Sequence, residues 1–277
     1  MRRVVLDQKD FATMSPLLRG KKGLRLGRLL VRLLSIHRVN RVYENSIHLR
    51  GAEFAASLLK DVGVCYEIEN EERLSTLPKG AFITVSNHPY GGLDGIIMID
   101  IMVRRRVDYK FMVNSILMNV KTMAGNFVGV KPSTKRSTSS TENAQKLKET
   151  LRHMKEGHPM GFFPAGAVSN FNRKSWFRVV DRDWQPTVIR LIQAAKAPVI
   201  PIYFHGKNSW FFNFLGRINW LLRSMRMPYE VFNKRGKIIK VTIGEIIPWE
   251  DQKQYTKVED LAAFLKAKTY ALNKKGK

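Results

Sequence analysis

A single cysteine, Cys65, stands among the 277 residues, so no internal disulfide can form and the chain suits a reducing compartment. Acidic residues are scarce: 23 Asp and Glu against 48 Lys and Arg leave a formal charge of +25. That excess calls for an anionic partner, which means nucleic acid, an anionic membrane surface, or an acidic carrier or substrate. No run of about 18 uncharged apolar residues occurs, so a transmembrane helix is not expected. The apolar stretch from Leu24 to Ile36 is interrupted by Arg25, Arg28 and Arg32, and no small-residue cleavage site follows it, which argues against a signal peptide. A secreted lytic or pore-forming protein therefore fits poorly. No repeat, low-complexity tract or Pro/Gly/Ser-rich linker divides the chain. Zinc spacing is also missing: His153-x-x-Glu156-x-His158 matches no metal motif and reads as the solvated end of a helix. Nor is there a Gly-x-Ser-x-Gly elbow to present a seryl nucleophile.

What is present is ordinary in hydrophobic content, 44%, and long enough for a sizeable core. Residues 1–60 read as a basic, amphipathic, mostly helical segment. Within it Arg25, Arg28 and Arg32 recur on one narrow helical face, while Leu26, Leu29, Leu30, Leu33 and Leu34 cover the rest. Such a helix either lies in a lipid interface or packs on the protein's own core with a basic outer edge. Residues 61–277 alternate apolar runs with helical patterns. Ala81–Val85, Tyr109–Val113, Phe127–Val130, Met160–Phe163, Val199–Phe204 and Ile238–Ile243 are strand candidates; Leu93–Val103, Glu142–Lys155 and Pro186–Ala195 are helix candidates. Ser139-x-x-Glu142 has the form of a capping box ahead of the second of these helices, whose apolar stripe is Ala144, Leu147, Leu151 and Met154. Pro201 inside a strand suggests an edge strand or a bulge. The pattern predicts an α/β fold, with a mixed, partly parallel central sheet flanked by helices and preceded by the N-terminal helical segment.

The most informative stretch is Ser86-Asn87-His88-Pro89-Tyr90-Gly91-Gly92-Leu93-Asp94-Gly95. It joins an apolar strand to an apolar helix, and sites in such sheets form beyond the carboxyl ends of strands. A histidine at a strand end can take a proton near neutral pH, and a carboxylate a few residues on can hold the ring in one tautomer. Glycines between them let a substrate approach the backbone. The plainer reading is a turn in which Asp94 caps the helix and His88 is a satisfied bystander. Three further segments accompany it in order: Phe127-Val128-Gly129-Val130-Lys131-Pro132, a strand ending in a cation; Gly161-Phe162-Phe163-Pro164-Ala165-Gly166-Ala167-Val168-Ser169, a strand entering a tight turn; and Val199-Ile200-Pro201-Ile202.

That order resembles the glycerolipid (lysophospholipid) acyltransferase family, also called PlsC-like, over roughly Phe82 to Phe204. The form Asn-His-Pro-x-Gly-Gly-Leu-Asp-Gly is closest to its branch labelled putative hemolysin or ornithine/glycine-lipid O-acyltransferase. The resemblance implies transfer of a fatty acyl group from acyl carrier protein or acyl-coenzyme A, as co-substrate and not as a bound cofactor, to a lyso-lipid hydroxyl. It implies that 1–60 docks on a membrane and 61–277 is the acyltransferase domain. His88 matches the family's catalytic histidine and Asp94 its partner. Asn87, Gly91, Gly92, Lys131, Pro164, Gly166, Ser169, Arg173 and Lys174 become substrate-binding candidates. Two departures stand out. Five residues, not the family's usual four, separate His88 from Asp94, so the loop must bulge for the side chains to meet. In the third motif Ala165 and Val168 replace the usual Glu and Arg, and Ala167 replaces a polar residue, which disfavours lysophosphatidic acid and favours a mono-acylated amino-acid lipid, with Lys131, Arg136, Arg173 or Lys174 able to restore charge.

On this reading His88 is a general base and Asp94 its orienting partner. Backbone amides of the Gly91-Gly92 turn or around Gly166 are the candidate oxyanion donors. The expected partners are an anionic membrane surface, met from the cytoplasmic side by a peripheral protein, the lyso-lipid and acyl carrier protein. Arg25, Arg28, Leu29, Arg32 and Leu33, with Trp210, Phe211, Phe214 and Trp220, form the expected membrane contact, since aromatics beside Arg suit a lipid interface. The alternatives are a basic nucleic-acid-binding protein, although no nucleic-acid motif is present, and an inactive acyltransferase homologue.

Overall fold

The structure is a computed structural model that describes residues 4–5, 19–131, 141–172 and 175–273. Three helices open the chain: α1 (Gly20–Leu33), α2 (Ile36–Asn45) and α3 (Gly51–Val62). Then come β1 (Cys65–Glu69), β2 (Ile83–Ser86), α4 (Gly92–Val103), β3 (Lys110–Asn114), β4 (Phe127–Val130), α5 (Thr141–Lys155) and β5 (Met160–Phe162). A hairpin, β6 (Asn170–Asn172) with β7 (Ser175–Val180), precedes α6 (Pro186–Ala195) and β8 (Val199–Phe204). The chain closes with α7 (Trp210–Ile218), α8 (Trp220–Phe232), β9 (Ile238–Ile243), a short α9 (Trp249–Gln252) and α10 (Val258–Tyr270).

Seven strands form one sheet in the order β1-β9-β8-β2-β5-β3-β4, so β2 is its centre. Every pairing is parallel except β8 with β9. The five strands from β8 to β4 therefore end at one edge, and the loop after central β2 opens there. β2 is buried on both faces, which is why Ile83-Thr84-Val85-Ser86 carries no charge. Its alternation still divides the core. Ile83 and Val85 join Met160, Phe162, Ile189, Leu261 and Leu265 under α5, α6 and α10. On the opposite face Phe54, Leu59, Leu93, Ile97, Met98 and Ile202 pack beneath α2, α3 and α4. Thus α3 belongs to the main core, and the boundary at residue 60 falls inside it.

All six expected strands and all three expected helices are present, within a residue or two at their ends. Pro201 is not on an edge: β8 lies between β2 and β9. The bulge alternative holds instead. Val199 bridges Ile247 and Ile202 pairs with Ile243, so three steps along β8 face four along its neighbour. The extra residue loops out opposite Pro201, whose carbonyl still accepts from Gly244 N at 2.8 Å. The basic N-terminal helix begins at Gly20 and breaks at Ser35, which adopts φ 60°. Ser139, Pro132 and Arg136 lie outside the described residues.

Candidate active site

The loop after β2 brings the imidazole and the carboxylate together. His88 Nδ1 stands 2.9 Å from Asp94 Oδ2, and the Asp94 side chain is wholly buried. The approach is bent, not linear, and among the described residues Nδ1 has no other partner. Bent or long contacts of this kind are common in catalytic pairs before substrate binds. The extra loop residue is absorbed at Gly91, whose φ of 82° and ψ of −115° turn the chain sharply into α4. That turn aims the amides of Tyr90 and Gly91 at Asp94 Oδ2, each at 2.9 Å. The helix-capping role and the histidine-orienting role of Asp94 are thus both realised, by one oxygen atom. Burial pushes the Asp94 carboxyl above its ordinary value, and the His88 ring and the two amides pull it back down.

Phe163, at the end of β5, stacks on the His88 ring with centroids 3.8 Å apart and planes 19° from parallel. It fixes the ring from its face while Asp94 fixes it from its edge. Phe111 packs behind Phe163 at 4.6 Å, so the stack is anchored in the core. The third-motif turn closes next to it. Gly166 N donates to Phe163 O at 2.8 Å, and Gly166 has φ 62° with Gln185 lying where a Cβ would go. Pro164 O accepts from Gln185 N at 2.8 Å, which ties the turn to the start of α6. Ser169 N donates to His88 O at 2.8 Å, joining this turn to the His88 loop. The fourth segment meets the same loop through Asn87. Its amide donates to Phe204 O at 2.9 Å and accepts from Phe204 N at 2.7 Å, a two-point clamp on the end of β8.

Other candidates are placed differently. Gly92 is the first residue of α4. Lys131 lies at the same edge of the sheet, but two strands beyond β5, and its ammonium is paired with Glu142. Arg173 and Lys174 are outside the described residues. Of the amides named as oxyanion donors, those of Gly91 and Gly166 are already spent on Asp94 and on Phe163 O. The Gly92 amide, at the positive end of α4, has no acceptor within the helix and faces no such competition.

Sequence reasoning did not single out the residues that arrive from elsewhere. Asp181, just past β7, is buried; it accepts from the Ser169 hydroxyl and, at 3.3 Å, from His88 N. Met227 of α8 lies against Gly91, close enough that a Cβ there would sit 2.5 Å from its sulfur. The Tyr90 hydroxyl donates to His205 O at 2.6 Å; burial first, then the Asp94 charge, raises its pKa and keeps it protonated. Asp181 and Met227 carry no local signal, because the end of β7 and α8 are far from this loop in sequence.

A mostly parallel sheet flanked by helices, with the loop after its central strand meeting the third and fourth segments, has the fold of the PlsC-like acyltransferases. The chain belongs to the acyltransferase family, whose model matches residues 10–276. It is 31% identical over 210 residues, 72% of each chain, to the lyso-glycine lipid O-acyltransferase of Bacteroides thetaiotaomicron. It is 26% identical over 264 residues, 91% of each chain, to the protein of the same name from Phocaeicola vulgatus. The crystal structure of the 1-acyl-sn-glycerophosphate acyltransferase PlsC from Thermotoga maritima shares the fold, with a TM-score of 0.50 at 14% identity, over 90% of this chain and 96% of that one. Among the described residues no helix is long and apolar enough to cross a membrane.

Proposed function

We propose that the protein moves a fatty acyl group from a thioester of acyl carrier protein or coenzyme A to the hydroxyl of a mono-acylated amino-acid lipid. The observation that carries this reading is the His88–Asp94 pair, with its carboxylate wholly buried, in a chain of this family. With Nδ1 directed at Asp94, Nε2 is left to take the proton from the acceptor hydroxyl. The oxygen then attacks the thioester carbonyl, and the tetrahedral oxyanion forms near the Gly92 amide and the N-terminus of α4. Collapse breaks the carbon–sulfur bond, and the leaving thiolate takes the proton back from Nε2. No enzyme-bound acyl intermediate is required, and Cys65 sits on β1, three strands from β2. General-base assistance of this kind is worth about 10²- to 10⁴-fold. The names of the two relatives direct the acceptor toward glycine lipids. Glycine acylated on nitrogen has no hydroxyl of its own, so the accepting oxygen of such a lipid lies on its fatty chain, and the head keeps a free carboxylate.

The same reading places the protein on the cytoplasmic face of a membrane, as a peripheral protein. In α1 the face turned to the protein is made by Gly23 and Gly27, which are buried. Leu26, Leu29 and Leu33 are left outside, with Leu33 65% exposed, beside Arg25, Arg28 and Arg32. Trp210, Phe211 and Trp220 are exposed as well, Trp220 by 69%, while Phe214 is half-buried against Trp210. Helix α2 touches both α1 and α8, and α8 reaches Gly91 through Met227, so these surfaces lead to the site. Exposed leucines and tryptophans beside arginines suit acyl chains and head groups; nucleic acid has no use for the leucines. Each Lys or Arg near an anionic leaflet adds about 1 kcal/mol. Lipid mass spectrometry of cells lacking the protein tests the proposal. A mono-acyl amino-acid lipid should accumulate and be cleared by the wild-type gene but not by His88→Ala. An unchanged lipid profile would sink it.

A further inference from the structure

Two arginines outside every motif converge on the third-motif turn. Arg182, one residue past Asp181, donates from Nε to Ala165 O at 2.6 Å. Arg223, from α8, donates from Nη1 to Val168 O at 3.2 Å. Val168 in turn lies against Gly91, and the next residue, Ser169, holds His88 O. Both guanidiniums are therefore joined to the catalytic loop through one short turn. Arg223 is held in place: a Cβ on Gly216 would sit 2.7 Å from its Cδ, and its guanidinium lies 5.6 Å from the centre of the Phe212 ring. Among the described residues neither arginine forms an ion pair with a carboxylate, and each spends one of its five N–H donors on the turn. Asp181 does not compensate them, since its carboxylate is buried and turned toward Ser169 and the His88 amide. Lys266 donates to Arg182 O at 3.2 Å, and its own charge is met by Asp183 at 3.9 Å, so Asp183 faces Lys266 and not the two guanidiniums. The pKa of Arg223 is pushed down, first by burial and then by the charge of Arg182. Two cations held near one another without a counter-charge are costly unless an anion joins them.

We propose that Arg182 and Arg223 form the subsite for the carboxylate head group of the acceptor, held while the acceptor's hydroxyl faces His88. This inference rests on the acceptor class proposed above. It accounts for the loss of polar residues at Ala165, Ala167 and Val168: the charge that this turn has given up in its own side chains is supplied from α8 and from the segment after β7. Planar guanidinium forks match a carboxylate in two-point geometry, which lysines would not.

The test uses the full chain and calorimetric titration with N-dodecanoylglycine, its uncharged methyl ester and a lysophosphatidate of matched chain length, all below micelle formation. Wild type should bind the acid more tightly than the ester. Arg223→Gln and Arg182→Gln should each weaken the acid about 10- to 100-fold and leave the ester unchanged. Arg182 is exposed, so its variant is expected to fold; Arg223→Lys, which keeps charge without the fork, covers the half-buried position, and it should retain part of the preference. In acyl-transfer assays with a hydroxyl-bearing N-acylglycine, the Gln variants should raise KM far more than they lower kcat. Equal affinity of wild type for acid and ester, or equal weakening of both by Arg182→Gln, would overturn the subsite. Tighter, arginine-dependent binding of lysophosphatidate than of the acylglycine would overturn its assignment to a carboxylate. If wild type acylates no acylglycine, the acceptor reading fails, while the titrations still decide the subsite.

Discussion

Replacing Asp94 with Asn separates chemistry from architecture at this site. The Asp94 oxygen that faces His88 also accepts the amides of Tyr90 and Gly91, each at 2.9 Å. An Asn side chain keeps the shape and one acceptor oxygen, so the Asp94→Asn variant still caps α4. What it loses is the charge that favours imidazolium as the acceptor's proton arrives. A hydrogen bond to a charged group contributes about 1.5–3 kcal/mol, which corresponds to about 10- to 150-fold in kcat. Stability should move the other way. Burial raises the Asp94 pKa above its ordinary value of 3.8. As pH rises from 3.8 through the raised value, the unfolded chain releases its proton first, so the ionised carboxylate costs stability above that window. The neutral variant escapes this cost. The expected result at neutral pH is a melting temperature equal to or above wild type, together with the loss in kcat. The assay is acyl-thioester consumption in mixed lipid–detergent micelles, run beside thermal unfolding of the same samples. Wild-type activity in the variant, or a melting temperature several degrees lower, would show that Asp94 is chiefly a helix cap and refute the reasoning.

Gly91→Ala puts a side chain at φ 82°, which costs about 1–3 kcal/mol in backbone strain, and crowds the Met227 sulfur. Its urea midpoint should fall, and adding Met227→Ala should recover only the crowding part; full recovery would deny the strain. Phe163→Leu removes the stack on His88, a contact of about 0.5–1.5 kcal/mol, and should lower kcat roughly 2- to 10-fold with little change in KM. An unaltered kcat would assign Phe163 to packing alone. Asp108 is partly buried, which works against its charge, but Arg106 and His158 outweigh this and hold its carboxyl at about 2 instead of 3.8. The pair therefore stabilises the fold above about pH 4, and that contribution is lost as pH falls through about 2. In urea titrations the gap between wild type and Asp108→Asn should be open at pH 6 and close across that range; a gap that persists at pH 2 would contradict it.

The strands at the middle of the sheet were the easiest to read. β2, β5 and β8 are uncharged runs, and they stand at the middle of the sheet where such runs belong. β1 escaped notice because Cys65-Tyr66-Glu67-Ile68-Glu69 is a half-exposed edge strand, with too much charge for an apolar run. The β6–β7 hairpin is short and packs against α7 instead of joining the main sheet. In the site, His88 and Asp94 were readable because both lie on one loop whose glycines announce a turn. Asp181, Arg182, Arg223 and Met227 were not, because the fold carries them to that loop or to the third-motif turn beside it from the end of β7 and from α8, and nothing in their own neighbourhoods marks the meeting point. Lys131 illustrates the converse: its position after a strand looked functional, while in the fold Glu142 neutralises it at the far edge of the sheet.

The most direct test of the account is product formation by purified protein given a fatty acyl thioester and a hydroxyl-bearing N-acylglycine, followed by mass spectrometry. The account predicts a di-acylated product from the wild-type chain and a rate lower by about 10²-fold or more from a folded His88→Ala variant. Equal product from both proteins would contradict it.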